Sequence, residues 1–264
     1  MAELPDVEIF KIYLQTTSLQ QKIKDIKERD HSLLQKVKFP EFKKKLVGTS
    51  FEKVRREGSF LIIELEGTSQ KLVFGFGPTG DLHYTRSEED FQNEDHYAKL
   101  IFDFDNEFEL RLISIRDSRG IYLVKGLKEI ESLGSLGESP LEVEKEHFLD
   151  LLTTYKDLHL KTFLMNSEIL AGIGDVYSDE ISFQAGLSPE RLVRSLSTKE
   201  RKNLFRTMKE VLTAAIDYTK KGSFPSSWLR EHREDMICPI HEKHQLNKEL
   251  IDRHRAIFCP ECQK

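Results

Sequence analysis

The three cysteines of this chain lie close together near its C-terminus, and they constrain the local fold more than any other feature of the sequence. Cys238-Pro-Ile-His241 is followed, after 17 residues, by Cys259-Pro-Glu-Cys262. A two-residue spacer lets two ligands from one turn reach the same ion, and zinc prefers four sulfur and nitrogen ligands in a tetrahedron. An odd number of clustered cysteines is also a poor disulfide framework. The spacing therefore predicts a structural zinc site formed by Cys238, His241, Cys259 and Cys262, with His244 as the alternative fourth ligand.

The composition is that of a soluble globular protein. Of the 264 residues, 32% are charged and 38% are hydrophobic, and this length suffices for one large domain or two to three small ones. No apolar run approaches the roughly 20 residues that span a bilayer, and the start has no signal-peptide pattern, so we expect a cytoplasmic protein. The net charge of −5 argues against a strong non-specific affinity for nucleic acid. The segment 198–264 is locally basic, with 14 Lys and Arg against 10 Asp and Glu.

The hydrophobic pattern changes its period along the chain. Residues 9–30 have helical spacing, whereas 43–119 consists of β-branched and aromatic runs separated by Gly, Asn and Asp, which favours an antiparallel sandwich or barrel. A stretch over 127–146 with glycines and a proline predicts an exposed linker. Helical spacing returns after it, and in the last long run Ser197 or Thr198 is the expected N-cap and Gly222 the expected end.

Three segments, in this order, carry a resemblance to a known family. They are the start Ala2–Glu8, the stretch 169–180 with the Ala185-Gly186-Leu187 that follows it, and the end 258–263. They resemble the N-terminus, the helix–two-turn–helix motif and the zinc finger of the formamidopyrimidine/endonuclease VIII-type DNA glycosylases. The stretch 136–141 is similar to the interdomain linker of that family.

The resemblance covers essentially the whole length and implies an α+β multidomain fold. The expected order is an N-terminal β-sandwich domain over 1–126, a linker over 127–140, a helix–two-turn–helix domain over 141–230 and a zinc finger over 231–264. The resemblance also implies a monomer that acts on DNA in a bacterial-type cytoplasm, associated with the nucleoid, and that has no membrane partner.

The activity implied by the resemblance is removal of damaged bases from DNA, followed by cleavage of the strand. In the family the N-terminal amine attacks the sugar C1′ and forms a Schiff base. Here that amine would belong to Ala2 once Met1 is removed, and an unperturbed α-amino group, with a pKa of roughly 7.7–8.0, is a reasonable nucleophile. Glu3 matches the acid/base of the family. The resemblance assigns DNA contacts to Lys161, Arg233, Arg255 and Arg119.

Several positions depart from the family pattern. They are Ser59 in place of a lysine, Pro78 in place of a void-filling methionine, Asp117 in the arginine-rich wedge, and Asp175 in place of an asparagine that donates to a phosphate. Serine supplies no cation, and an ionised aspartate only accepts hydrogen bonds. Weaker binding to duplex DNA follows from these changes, with single-stranded or bubble DNA as the better substrate.

Two hypotheses about function remain. The first is a divergent DNA glycosylase and AP lyase of base excision repair that uses Ala2 and Glu3. The second is a catalytically inactive relative that serves as a DNA- or protein-binding module. The acidic balance and the substituted positions favour the second, whereas Glu3, Lys161 and the zinc-ligand pattern favour the first.

Overall fold

The structure is a computed structural model that describes residues 2–30, 32–77, 80–86, 97–114 and 120–264. The chain forms two compact units. The first contains Met1–Ala2 and Asp6–Gly134, and the second contains Glu3–Pro5 and Ser135–Lys264. Pro78, Asp117 and Arg119, which the sequence analysis singled out, lie outside the described residues.

The first unit contains two β-sheets with the hydrophobic core between them. Its helices are α1 (Leu4–Thr17, whose first residues belong to the second unit), α2 (Phe39–Leu46), a 3₁₀ turn (Leu127–Glu129) and α3 (Glu131–Gly134). Its strands are β1 (Ile23–Glu28), β2 (Leu34–Gln35), β3 (Phe51–Glu57), β4 (Phe60–Leu65), β5 (Lys71–Gly75), β6 (Gly80–Arg86), β7 (Ala98–Phe104), β8 (Phe108–Ser114) and β9 (Gly120–Val124). One sheet has the order β1-β7-β8-β6 and the other β2-β9-β5-β4-β3.

Aromatic side chains join the two sheets. Phe102 of β7 lies against Phe51 of β3, with ring centroids 5.6 Å apart, and against Phe74 of β5 at 6.0 Å. All three rings are buried, and side chains from both sheets form one continuous cluster. Side chains from the facing sides of the two sheets thus form a single core, as in a β-sandwich. The predicted β-sandwich is confirmed.

The helix predicted over 9–30 is wrong in its second half. Helix α1 ends at Thr17, Gln20 has a positive φ of 63°, and Ile23–Glu28 form an edge strand. The register of β1 against β7 shifts between Ile23 and Asp25. Because of this irregularity Ile23 and Ile26, three residues apart, both enter the core, and a strand acquires a spacing that is typical of a helix.

The second unit is helical and ends in a small hairpin. Its elements are α4 (Lys145–Thr154), α5 (Leu160–Met165), α6 (Asp175–Ala185), a 3₁₀ turn (Val193–Ser195), α7 (Thr198–Lys221), a 3₁₀ turn (Leu229–His232), β10 (Asn247–Ile251) and β11 (His254–Phe258). At the start of α7, Glu200 and Ser197 form a capping box, and Gly222 ends the helix with a φ of 71°. Both predicted ends of α7 are confirmed.

The stretch predicted as a linker over 127–140 contains the 3₁₀ turn and α3, and the two units divide within it, between Gly134 and Ser135. Its last part is held against the loop before α6. The Gly137 N–H donates to the carbonyl of Ser167, and a Cβ at this glycine would come within 2.4 Å of the carbonyl oxygen of Ile169. The close approach of two backbones therefore requires glycine at this position. Among the described residues, no helix is both long and apolar enough to span a membrane.

Candidate functional site

The Glu3 carboxylate is buried at the N-terminus of α6. Its Oε2 accepts hydrogen bonds from the N–H groups of Gly174 (2.7 Å) and Tyr177 (3.1 Å), and its Oε1 accepts one from Val176 (2.8 Å). Only 3% of the residue is exposed. The first N–H groups of a helix have no partner within the helix and carry a partial positive charge. Glu3, from a distant part of the sequence, caps α6 in place of a local side chain.

Gly174 permits this arrangement because it has no side chain. Its φ of −121° and ψ of −156° are accessible to any residue. A Cβ on Gly174 would, however, lie 2.6 Å from Cδ and 2.7 Å from Oε1 of Glu3. Nothing in the sequence around Gly174 indicates this role, which becomes visible only from the distances to Glu3.

Ala2 belongs to the first unit, and its backbone nitrogen contacts the segment that follows β5. The nitrogen donates to the carbonyl oxygen of Gly77 at 3.2 Å, and 7% of Ala2 is exposed. On the other side of Glu3, the Leu4 N–H donates to the carbonyl of Gly172 at 2.8 Å. Within the second unit, the hydrogen bond of Leu4 therefore fixes the backbone directly after the acidic side chain. In a chain that starts at Ala2, the nitrogen beside Gly77 is the terminal amine.

A buried charge network lies on the next turn of α6. Asp179 is fully buried; its Oδ1 accepts from Lys161 Nζ at 2.7 Å, and its Oδ2 accepts from Arg233 at 2.7 Å and from the Ile257 N–H at 3.1 Å. Burial raises the pKa of the Asp179 carboxyl, and the two cations act in the opposite direction. These partners come from α5, from the residue after the 3₁₀ turn Leu229–His232 and from β11. The Asp179 carboxylate of α6 therefore links three other parts of the second unit.

The neighbouring Glu180 is also fully buried. Its carboxylate accepts from the N–H groups of Leu229 (3.3 Å) and Arg230 (2.9 Å) and from the Gln184 side chain (2.9 Å). Burial raises the pKa of Glu180, while these donors lower it. Neither carboxylate is identified from the sequence, because α6 also contains Ser178, Ser182 and Gln184 and its composition does not separate buried acids from exposed ones.

The network changes the interpretation of Lys161. The resemblance assigned Lys161 to a phosphate contact, but its side chain is fully buried and its ammonium also donates to the Asp175 carbonyl at 3.0 Å. In this conformation the Lys161 side chain is not accessible to DNA. Asp175 itself begins α6 with half of its side chain exposed, where an acid is favourable to the helix.

Arg233 and Arg255, the two arginines with an expected DNA contact that the structure describes, differ from Lys161 and from each other. Arg233 is 19% exposed and its guanidinium is held by Asp179. Arg255 is exposed on β11. Arg119, the fourth residue with an expected DNA contact, lies outside the described residues. The lysine position occupied by Ser59 is a buried turn between β3 and β4, and the nearby Arg56 donates to Glu8 at 2.9 Å and to the Gly58 carbonyl at 3.1 Å.

Four side chains near the C-terminus form a group with the geometry of a metal site. The group is Cys238, His244, Cys259 and Cys262, with all ligand atoms within 4.8 Å of one another. The sulfurs of Cys238 and Cys262 are 3.7 Å apart, and His244 Nδ1 lies 3.8 Å from the Cys262 sulfur and 3.9 Å from that of Cys259. Tetrahedral zinc with Zn–S distances of about 2.3 Å places its ligand atoms about 3.8 Å apart, so the group fits zinc.

The expected histidine was the wrong one of the pair. His241 is exposed and does not belong to the group, whereas His244 does. A tight turn explains the difference. The His244 N–H donates to the carbonyl of His241 at 2.8 Å, and the Cys238 N–H donates to the carbonyl of His244 at 3.0 Å. The chain therefore reverses after His241 and returns His244 to the side of Cys238.

The chain matches known proteins over its whole length. Residues 1–121 match the family described as formamidopyrimidine-DNA glycosylase N-terminal domain, and residues 136–226 match the formamidopyrimidine-DNA glycosylase H2TH domain. The formamidopyrimidine-DNA glycosylase of Listeria innocua is 31% identical over 280 residues, covering all of both chains. This chain belongs to the formamidopyrimidine-DNA glycosylase family. A further member of the family, from Carboxydothermus hydrogenoformans, is 28% identical over both full lengths.

The solved structures agree in fold. The chain is similar to the Lactococcus lactis Fpg in complex with DNA that contains an abasic site, with a TM-score of 0.83, 20% identity and 99% of each chain covered. It is also similar to a family structure in complex with DNA that contains carbocyclic 8-oxo-G, with a TM-score of 0.82 and 21% identity. Family membership confirms the expected succession of a sheet domain, a helix–two-turn–helix domain and a C-terminal Cys/His cluster.

Proposed function

We propose that this protein is a DNA glycosylase and AP lyase of base excision repair that uses the amine of Ala2 as its nucleophile after Met1 is removed. The observation that carries the proposal is the capture of Glu3 by three backbone N–H groups of α6. Such a buried, oriented carboxylate next to the chain terminus has a high cost in desolvation and is what proton transfer beside an N-terminal amine requires.

In the proposed reaction the lone pair of the Ala2 amine forms a bond to C1′ of the damaged nucleotide, and the bond from C1′ to the base breaks. The base leaves with that electron pair and takes up a proton. The amine then loses a proton and its lone pair forms a double bond to C1′. The bond from C1′ to the ring oxygen breaks at the same time, and the ring oxygen takes up a proton, which leaves a protonated Schiff base. Loss of a proton from C2′ and departure of the 3′ phosphate cleave the strand, and water finally releases the enzyme.

The role of Glu3 in this sequence is to receive and return these protons. Because both of its oxygens are fixed by amides of a rigid helix, the carboxylate keeps one orientation while the amine beside it reacts. Within the first unit, the carbonyl of Gly77, which accepts from the Ala2 nitrogen at 3.2 Å, would orient the lone pair of a free amine. Both contacts act before the substrate arrives.

The choice of substrate follows from the positions that differ. A buried Ser59 and an Arg56 committed to Glu8 provide no free cation at the lysine position, and Asp175 adds a negative charge at the start of α6. We therefore propose weaker binding to intact duplex and a preference for single-stranded or bubble DNA, in which no opposite base needs support. Zinc bound by Cys238, His244, Cys259 and Cys262 would have a structural role, since four protein ligands leave no position for water.

The test is trapping with borohydride on abasic-site DNA, in single-stranded, bubble and duplex form, with mass spectrometry of the N-terminus. We expect a covalent adduct on Ala2 in protein that lacks Met1, and none in an Ala2→Glu variant, whose bulkier second residue keeps Met1 in place. DNA binding without an adduct in Met1-free, zinc-loaded protein would refute the lyase. The alternative of a catalytically inactive DNA-binding module would then stand.

A further inference from the structure

One segment of the first unit differs in charge from the rest of the chain. Residues 22–45 contain nine Lys and Arg against four Asp and Glu, a net charge of +5, in a chain whose net charge is −5. The segment includes β1, β2 and most of α2. Because β1 and β2 are outermost strands of their two sheets, these cations are concentrated where the sandwich has an edge.

A cavity of about 410 Å³ lies within this segment. It is lined by one residue each of β1 and β2, two residues of the connection to α2 and the first two residues of α2, namely Glu28, Leu34, Val37, Lys38, Phe39 and Pro40. Leu34, Val37 and Phe39 are half-buried and pack against the core of the sandwich. The cavity therefore lies where the two edge strands and α2 meet, and most of its wall is apolar.

The wall of the cavity is held in place by contacts within the first unit. Lys36, between β2 and α2, has a positive φ of 63°, a conformation that its side chain disfavours, and its ammonium donates to the Glu129 carbonyl at 2.6 Å. Pro40 stabilises the first turn of α2, and Lys43 of α2 pairs with Asp25 of β1 at 2.6 Å. A pocket that is already formed binds with a smaller loss of entropy than one that must first be ordered.

The rim of the cavity carries positive charge that the described part of the chain does not neutralise. Lys38 is exposed and lines the cavity, and Lys44 is exposed one helical turn after Pro40. Among the residues that the structure describes, neither lysine has a carboxylate within ion-pair distance. Other lysines of the segment do pair with carboxylates of the chain, namely Lys27, Lys43 and Lys45.

Lysines at the edge of a sheet can also serve to keep other strands away. That explanation suits Lys24 and Lys27, which lie on β1 itself. It does not extend to Lys38 and Lys44, which lie on a connection and on a helix, and it does not account for the apolar cavity beside them. Cations around an apolar pocket are the complement of an acidic segment that carries an apolar side chain.

We propose that this cavity binds an acidic peptide segment of another protein. One aromatic or leucine side chain of that segment, the anchor, would occupy the cavity, and Asp and Glu side chains beside it would contact Lys38 and Lys44. Since Glu28 lines the cavity, the acids of the partner would flank the anchor and remain at the rim. A DNA backbone could contact the same cations but has no apolar group for the cavity, so the peptide is the better fit.

The experiment starts from a random display library of peptides of about twelve residues, selected on the full-length, zinc-loaded protein. One enriched peptide is then measured by fluorescence anisotropy. We expect the enriched sequences to have an aromatic or leucine residue flanked by Asp and Glu, and a Kd of about 10 μM, since one anchor with a charged rim buries a small area. Serine in place of the anchor should weaken binding at least about tenfold, as should amides in place of the acids.

Two variants of the protein test where the peptide binds. Lys38→Glu reverses a charge at the rim, and Pro40→Asp places a charge on the wall in the first turn of α2, where an acid is favourable to the helix. Each should weaken Kd at least about tenfold in protein whose melting temperature shows that it is folded. The matched control is Lys53→Glu, an exposed lysine on β3 at the other edge of the five-stranded sheet. It changes the net charge by the same amount and should alter Kd less than about twofold.

The inference is overturned if no acidic peptide with an apolar anchor is enriched, if both variants bind such a peptide as the wild type does, or if the control loses as much affinity as they do. Duplex DNA is measured with the same proteins. Weaker binding of DNA by Lys38→Glu, with unchanged binding of the peptide, would assign these cations to nucleic acid and also overturn the inference. The inference goes beyond the proposed function, because no residue of the cavity contacts Glu3, and a negative borohydride assay would leave it untouched.

Discussion

Replacing Gly174 by alanine tests the central feature of the candidate site. The new Cβ would lie 2.6 Å from Cδ of Glu3, whereas ordinary contact begins at 3.4 Å. The backbone at Gly174 accepts alanine without strain, and the start of α6 cannot shift without breaking backbone hydrogen bonds of the helix. The Glu3 carboxylate must therefore move by about 0.8 Å.

The size of the effect follows from the bonds that are lost. A shift of about 0.8 Å lengthens hydrogen bonds of 2.7, 2.8 and 3.1 Å beyond the useful limit of roughly 3.2 Å. Hydrogen bonds to a charged group contribute about 1.5–3 kcal/mol each. With partial relaxation we expect a loss of about 3 kcal/mol in the free energy of unfolding. Under the proposed function, displacement of Glu3 by about 1 Å should also reduce single-turnover cleavage of abasic DNA about 100-fold.

The matched control is Gly126→Ala. Gly126 has a similar backbone, with φ −124° and ψ 137°, but its nearest neighbour to a new Cβ is 3.7 Å away. It should change stability by less than about 1 kcal/mol and leave the rate unchanged. Urea unfolding and single-turnover kinetics measure both quantities. Wild-type stability and rate in Gly174→Ala would refute the conclusion that this glycine makes room for Glu3.

Three further predictions concern the second unit. His244→Ala should lose zinc by metal analysis while His241→Ala keeps it, and the reverse result would restore the histidine expected from the sequence. Lys161→Met should cost about 3 kcal/mol in urea unfolding, because it removes one of two cations from a buried carboxylate; an unchanged midpoint would refute the buried pair. Arg191, the largest cause, lowers the pKa of Glu200 to about 2, so its stabilising contribution is present above about pH 4.5 and lost as the pH falls towards 2. The difference in melting temperature between wild type and Glu200→Gln should accordingly vanish near pH 2, and a difference that persists there would contradict the pairing.

Sequence reasoning reached the parts of the molecule in which spacing along the chain decides the structure. The cap at Ser197, the end of α7 at Gly222 and the cysteine pairs are of this kind, because their partners lie within a few residues. The choice between His241 and His244 depended on a reversal of the backbone that neither histidine reveals. Both have a plausible spacing, and only the hydrogen bonds of the turn distinguish them.

Tertiary partners explain what the sequence does not show about Lys161 and about β1. Lys161 looks like a free cation in the sequence, and its burial becomes visible only when Asp179 and Arg233 are brought to it from other segments. The same holds for Ile23 and Ile26, whose helical spacing results from an irregularity in the pairing of β1 with β7. In each case the deciding neighbour is far away in the sequence, so local patterns carry no information about it.

The capping of α6 by Glu3 also has a consequence for the order of events during synthesis. Glu3 leaves the ribosome among the first residues, but Gly174, whose amide it accepts, follows 171 positions later. Until then the acidic side chain has no partner in α6. A truncated chain that stops before α6 would therefore carry the amine without the oriented carboxylate. Any chemistry that depends on the oriented carboxylate of Glu3 would therefore begin only once the start of α6 has been synthesised and folded, about two thirds of the way along the 264 residues.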